Sequence, residues 1–169
     1  IEKILDKKGV WILELSYLPL MLKNLTYDQI CHEHVGYYTL SVFNRIAKKN
    51  KLRIIDLSFN EINGGSIEII CAKNKSHFRS NISKIREVLN EEKKITKKSY
   101  DNFNTRINES KELLQMFLQL NSKKKILGYG ASTKGNIVLN HAKVTNSQIQ
   151  EICDSSPKKF GKYTPGANI

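Results

Sequence analysis

The chain has 169 residues, 40% of them apolar, an ordinary make-up for one large globular domain or two small ones. No apolar run approaches the length of about 18 residues that a bilayer-spanning helix needs, and no signal peptide is visible, so neither a membrane span nor a membrane partner is expected. The net charge of +12 comes from lysines spread over every segment, without arginine-rich stripes interleaved with aromatics, which argues against nucleic acid; it reads first as a solvated lysine-rich surface and also suits an anionic small molecule such as a nucleotide diphosphate.

Cys31, Cys71 and Cys153 are widely spaced and form no Cys-x-x-Cys pair, so free thiols in a reducing, cytoplasmic setting are expected. The chain starts at Ile1 and stops within Thr-Pro-Gly-Ala-Asn-Ile169, which reads as a turn into another strand. A piece of a longer protein is therefore expected.

Gly9-Val-Trp-Ile-Leu-Glu-Leu15 reads as a buried strand, a short apolar run opened by glycine, with Trp11 in the core and Glu14 at a solvated end. Residues 27–38 form a polar, aromatic loop. Thr39 or Ser41 then caps a helix through Phe43, Ile46 and Ala47, whose C-terminal lysines 48, 49 and 51 suit the helix dipole. Leu52–Leu57 and Ser66–Cys71 read as two strands, with Gly64 and Gly65 before the second, where bare backbone permits a tight bend or a close ligand approach. This order fits the closing portion of an α/β domain.

Residues 77–121 differ. Ile82, Ile85 and Val88/Leu89 recur at helical spacing, as do Phe103, Ile107, Leu114 and Phe117/Leu118, giving one long or two shorter amphipathic helices. The heptad is too imperfect for a coiled coil, so packing against a sheet is expected. A second α/β unit opens at Lys125, where a short strand runs into a turn with Gly128, Gly130 and Gly135. Residues 136–142 read as helix and 149–154 as the following strand. Asp154 lies roughly 20 residues beyond the glycines, where a Rossmann unit carries its ribose-binding acid. The glycines let backbone N–H groups approach a phosphate at a helix N-terminus, and Lys134 adds a charge. Lys158, Lys159 and Lys162 meet a diphosphate or form a solvated loop. A strand–helix turn without a ligand fits the same glycines.

Chemistry concentrates in Tyr27-Asp-Gln-Ile-Cys-His-Glu-His-Val-Gly-Tyr-Tyr38, which sets Cys31, His32, Glu33 and His34 side by side in a chain with four histidines. Histidine titrates near neutral pH, and an adjacent carboxylate tunes or orients it, so the cluster suits a general base. A polar surface loop fits the same residues. His-x-His also admits a metal, but no second ligand pair stands at zinc-site spacing.

Taken in order, Tyr27-Asp-Gln-Ile-Cys-His-Glu-His34 with Tyr37-Tyr38, Asn63-Gly-Gly-Ser66, Gly128-Tyr-Gly-Ala-Ser-Thr-Lys-Gly-Asn136 and Asp154–Ile169 resemble the sugar C-methyltransferases that act on nucleotide-linked keto-deoxysugars. The resemblance spans nearly the whole chain and implies an α/β protein. The end of a methyltransferase sheet carrying the catalytic loop (1–75) is followed by a helical connector (76–124) and a Rossmann-like nucleotide-sugar-binding unit (125–169). It implies S-adenosylmethionine (SAM) as methyl donor, held mostly by sequence outside these residues, and zinc only in a preceding cysteine-rich domain. It implies carbon methylation beside the sugar ketone through a base-assisted enolate, with His34 as base and Glu33 as its partner. Gly64, Gly65, Gly128, Gly130, Lys134, Gly135 and Asp154 are then the substrate-side candidates, and no residue is assigned to the cofactor. The piece alone is expected to be inactive.

One position departs from the pattern. Where the family usually carries a tyrosine thought to help in catalysis, this chain has Cys31, which cannot place a phenolic O–H at the same reach. Two alternatives stand beside the enzyme. One is a non-catalytic nucleotide-sugar-binding module; the other is an NAD-dependent oxidoreductase domain built on residues 125–154.

Overall fold

The computed structural model describes residues 1–169. It divides into two compact units, residues 1–26 with 35–103, and residues 27–34 with 104–169.

The first unit is built on a three-stranded antiparallel sheet. Val10–Ser16 (β1), Leu52–Asn60 (β2) and Ser66–Lys73 (β3) lie in the order β1-β3-β2. The register pairs Trp11 with Cys71, Leu13 with Ile69 and Leu15 with Ile67, which sets one apolar row on one face. Helices α2 (Leu40–Lys49) and α3 (Ile82–Glu92) cover that face, and Leu40, Phe43, Ala47 and Val88 join Leu57, Ile67 and Ile69 in one core. Trp11 packs against this core, its ring 6.0 Å from that of Phe43. The opposite face of β1 leaves Val10, Ile12 and Glu14 exposed.

The sequence resolves into these elements for local reasons. Thr39 is extended and its hydroxyl accepts the Val42 N–H at 3.3 Å, so α2 starts where the capping residue predicts. Strand β2 runs three residues beyond its apolar segment because its polar end stays paired with β3 as far as Asn60–Ser66. Between them Asn63, Gly64 and Gly65 have φ of 55°, 80° and 130°. A Cβ on Gly64 would lie 2.3 Å from Thr26 Cγ2, and one on Gly65 2.6 Å from Leu20 Cβ, so only glycine lets this turn lie against α1 (Leu18–Asn24) and the residues after it. The helical stretch is two helices: α3 ends at Glu92, and α4 (Lys97–Leu120) follows a short break whose Thr96 N–H is accepted by the Ser99 hydroxyl. Packing on a sheet holds for α3, which lies on β2.

In the second unit β4 (Leu127–Tyr129) pairs in parallel with β5 (Glu151–Cys153) across the helix α5 (Thr133–His141), a small β-α-β unit. Leu118 of α4, Ala142, Val144, Ile149, Ala167 and Ile169 form its core. Helix α5 begins three residues earlier than its apolar pattern suggests, because the Ser132 hydroxyl accepts the Gly135 N–H at 3.1 Å and caps it. The compact units cut the chain differently from boundaries at 75 and 124: α3 packs on β2 and α2, while residues 27–29 pack on α5. No helix is long and apolar enough to cross a membrane.

Candidate functional site

The His-Glu-His loop starts from a buried anchor. Residues Tyr27–Gln29 make a 3-10 turn in which Tyr27 is 8% and Gln29 1% exposed. The Tyr27 ring meets His141, the last residue of α5, edge-on with centroids 5.6 Å apart. The chain then folds tightly, Ile30 and Cys31 donating N–H to the carbonyls of Tyr27 and Gln29, and His34 to that of Cys31. Cys31 is half-buried, while His32, Glu33, His34 and Val35 are exposed.

Within the cluster the Cys31 thiol hydrogen-bonds to Glu33. That bond raises the Cys31 pKa and holds the Glu33 carboxyl below its ordinary range, with smaller help from the charges of His32 and His34. His32 Nδ1 stands 3.5 Å from Glu33 Oε2. Glu33 is thus a charged carboxylate beside two imidazoles, close enough to His32 to orient its ring. No group of three or more His, Cys, Asp or Glu side chains is placed to hold a metal ion.

The glycine turn lies in the same unit. Gly130 has φ of 90° and no atom within 4 Å of a built Cβ, so its backbone is open to an approaching group, and its N–H is accepted by the Cys153 carbonyl at 2.7 Å. Gly128 has a different reason: a Cβ there would lie 2.9 Å from Ile152 Cγ1 on the neighbouring strand. Lys134 and Gly135 occupy the first turn of α5. Asn136, also on α5, keeps a buried Oδ1 without a hydrogen-bond partner.

Asp154 stands at the end of β5, as expected, and both its oxygens are engaged. Oδ2 accepts from Ala131 N–H and the Lys159 ammonium, each at 2.8 Å, and Oδ1 accepts from Ser156 N–H at 2.8 Å. The Lys159 bond, first among these contacts, lowers its pKa. A cavity of about 570 Å³ opens beside it, lined among others by Ala131, Asp154, Lys159, Phe160, Lys162 and Tyr163. Phe160 and Tyr163 are largely exposed there, and Gly128, Gly130, Lys134 and Gly135 are not in its wall.

Gly64 and Gly65 belong to the first unit and border a separate cavity of about 560 Å³ with Lys23, Asn24, Phe59 and Glu61. Asn24 Nδ2 donates to the Gly64 carbonyl at 2.7 Å and fixes that rim. Glu14, read as a solvated strand end, is exposed, and His77 lies against the Phe78 ring. All three cysteines are free, and burial pushes the Cys71 thiol up to about 12, which makes it inert.

One polar cluster escaped the sequence reading. Glu92, at the end of α3, is 8% exposed and accepts the Tyr17 hydroxyl, the Leu40 N–H and the Ser41 N–H. Burial, with help from Glu92, pushes the Tyr17 hydroxyl well above its ordinary range. In a run of lysines and glutamates Glu92 looks like any solvated helix residue. Its only sequence signal is its place four residues beyond Val88, on the face that packs.

Comparison with known proteins gives a family for the stretch that carries the glycine turns. Over its whole length the chain is 27% identical to C-methyltransferase NovU of Streptomyces niveus, and it spans 41% of that relative's length. Residues 61–169, which include the Gly64–Gly65 turn, α3, α4 and the β4-α5-β5 unit, match the family model described as the C-methyltransferase C-terminal domain. On that match the chain belongs to the C-methyltransferase C-terminal domain family.

Proposed function

We propose that this chain supplies the proton-handling and substrate-side part of a SAM-dependent methyltransferase acting on the carbon beside the ketone of a nucleotide-linked deoxysugar. The observation that carries the reading is the docking of the Tyr27–Gln29 turn on α5, which puts the histidine-bearing loop and the glycine-turn helix in one compact unit. The basic surface suits a diphosphate, and the relative is a C-methyltransferase.

His34 takes the proton from the carbon beside the ketone. The C–H electron pair passes into the enolate, whose carbon is the nucleophile, and Glu33 holds the imidazole in orientation and stabilises it once protonated. Gly64 and Gly65 stay on the substrate side of this proposal. Gly128, Gly130, Lys134 and Gly135 face the diphosphate with Asp154, which acts through Lys159. In functional terms we keep 1–75 as the part bearing the catalytic loop, 76–124 as connector and 125–169 as the nucleotide-sugar-binding part.

SAM supplies an electrophilic methyl group when bound. The β4-α5-β5 unit has the strand order of an adenosyl cradle, yet Ala131, Ser156 and Lys159 already take three of the roughly four lone-pair sites of Asp154, too few remaining for a bidentate grip on a ribose diol. It does not fit a methyl donor, and we assign that site to sequence outside these residues. The same occupied acid counts against the NAD-dependent oxidoreductase. Three dispersed free cysteines do not fit zinc. The binding-module reading is favoured by one observation, the Cys31 thiol engaging Glu33 where the resemblance places a tyrosine.

The test is His34→Ala in the full-length protein, supplied with SAM and a thymidine-diphosphate-linked keto-deoxysugar. Methyl transfer falls by at least ~100-fold, the range a general base contributes. The dissociation constant of the nucleotide sugar, read by calorimetry, stays within about twofold, since a base contributes little to ground-state binding. Unchanged turnover refutes the role of His34, and absence of turnover in the unaltered protein favours the binding module.

A further inference from the structure

We infer that Glu92 is a positioning residue for the His-Glu-His loop, holding the root from which the loop emerges into α2; this rests on reading that loop as the reacting centre. Five residues separate His34 from Leu40, the first residue of α2. The geometry at that root is over-determined. Glu92 Oε1 accepts Leu40 N–H at 2.5 Å and Tyr17 O–H at 2.8 Å, while Oε2 accepts Ser41 N–H at 2.9 Å. Next to it the Tyr38 carbonyl accepts Leu18 N–H at 3.0 Å, and Tyr17 and Tyr38 form a parallel bridge. One side chain on α3 thereby ties Tyr17, just past β1, to the first turn of α2, beside the backbone pairing that holds Tyr38.

Helix capping alone does not explain it. Thr39 already caps α2 through Val42 N–H, and an exposed cap suffices for a helix end. Burying a carboxylate carries a desolvation cost that an apolar side chain in the same place avoids. Its return is direction: two adjacent N–H groups and one hydroxyl meet a carboxylate from fixed angles, so the helix start neither rotates nor slides. A catalytic side chain tolerates little misplacement, and its support belongs on rigid elements.

The test uses the full-length protein with SAM and a thymidine-diphosphate-linked keto-deoxysugar. Glu92→Gln keeps the shape but replaces one acceptor oxygen by a donor. Its kcat falls about tenfold or more, normalised to the folded fraction, while KM stays within about twofold, because a misaimed base loses rate rather than binding. Amide exchange quickens over residues 30–41 and stays unchanged over 133–141. Glu92→Asp, which retracts the same carboxylate by one methylene and covers the case of a Glu92→Gln protein that fails to fold, loses kcat in the same sense. Wild-type kcat in either folded variant, or loop exchange no faster than in the unaltered protein, overturns the inference. His34→Ala is measured alongside. If it retains turnover, the reading of the loop fails; if it is inactive while the Glu92 variants keep full kcat, only the positioning role fails.

Discussion

Asp154 shows how a residue's place and its use separate. Its place at the end of β5 was legible, because a short apolar run followed by an acid marks a strand end. Its use was not, because Ala131 N–H, Ser156 N–H and Lys159 reach it only after the turns on either side have folded. The lowered pKa carries a sign. A carboxyl more acidic in the folded chain than in the unfolded one stabilises the fold above the unfolded value, about 4. That contribution is lost as pH falls through the lowered folded value. Asp154→Asn is therefore expected to lower the unfolding midpoint at pH 7, with the gap from the unaltered protein closing on acidification below about pH 4. Thermal unfolding of both proteins across pH 2.5–7 checks this; a gap constant with pH would mean that the ion pair contributes nothing. Glu92 was illegible for a similar reason, since its three donors lie 51 to 75 positions earlier in the chain.

Elements were read more securely where a local signal sets them. Thr39 and Ser41 both offered a cap for α2, and short apolar runs opening after glycine marked β1 and β3. The close of β2 is polar, so its final residues became strand only through pairing with β3. The helical stretch left one or two helices open because propensity barely distinguishes Lys93–Thr96 from its flanks. Capping at Thr96 and the packing of α3 on β2 decide it. The β2-β3 turn is the element most sensitive to a single methyl. Gly65→Ala places a Cβ 2.6 Å from Leu20 Cβ at a φ of 130° and is expected to destabilise the first unit by about 2–4 kcal/mol, strain and clash combined. Urea unfolding measures it, and a loss below about 0.5 kcal/mol would mean that the turn relaxes freely.

At the scale of the whole molecule, composition spoke to charge and to the lack of a membrane-spanning helix, but not to how the chain is partitioned. Residues 27–34 belong to the unit completed by 104–169, although 35–103 build the other. Periodicity cannot reveal this, because the 3-10 turn owes its shelter to Tyr27 against His141, 114 positions apart. Closing a loop of that length costs about 4 kcal/mol of chain entropy, against which the local pairing of β2 with β3 has a head start. Pulse-labelled amide exchange during refolding is expected to show residues 27–34 gaining protection together with 133–141 and after β2 and β3. Protection of 27–34 in step with the sheet would contradict it.

That partition sets a timetable for biosynthesis. At about 5–20 residues per second, the ribosome finishes His141 roughly 6–23 s after Tyr27. Throughout that interval the nascent Tyr27–Gln29 turn has no α5 to rest on, while the sheet on either side of it in sequence can already close. The Tyr27–Gln29 turn is therefore made well before the helix that seats it, and the loop that follows has no anchored root until that helix exists.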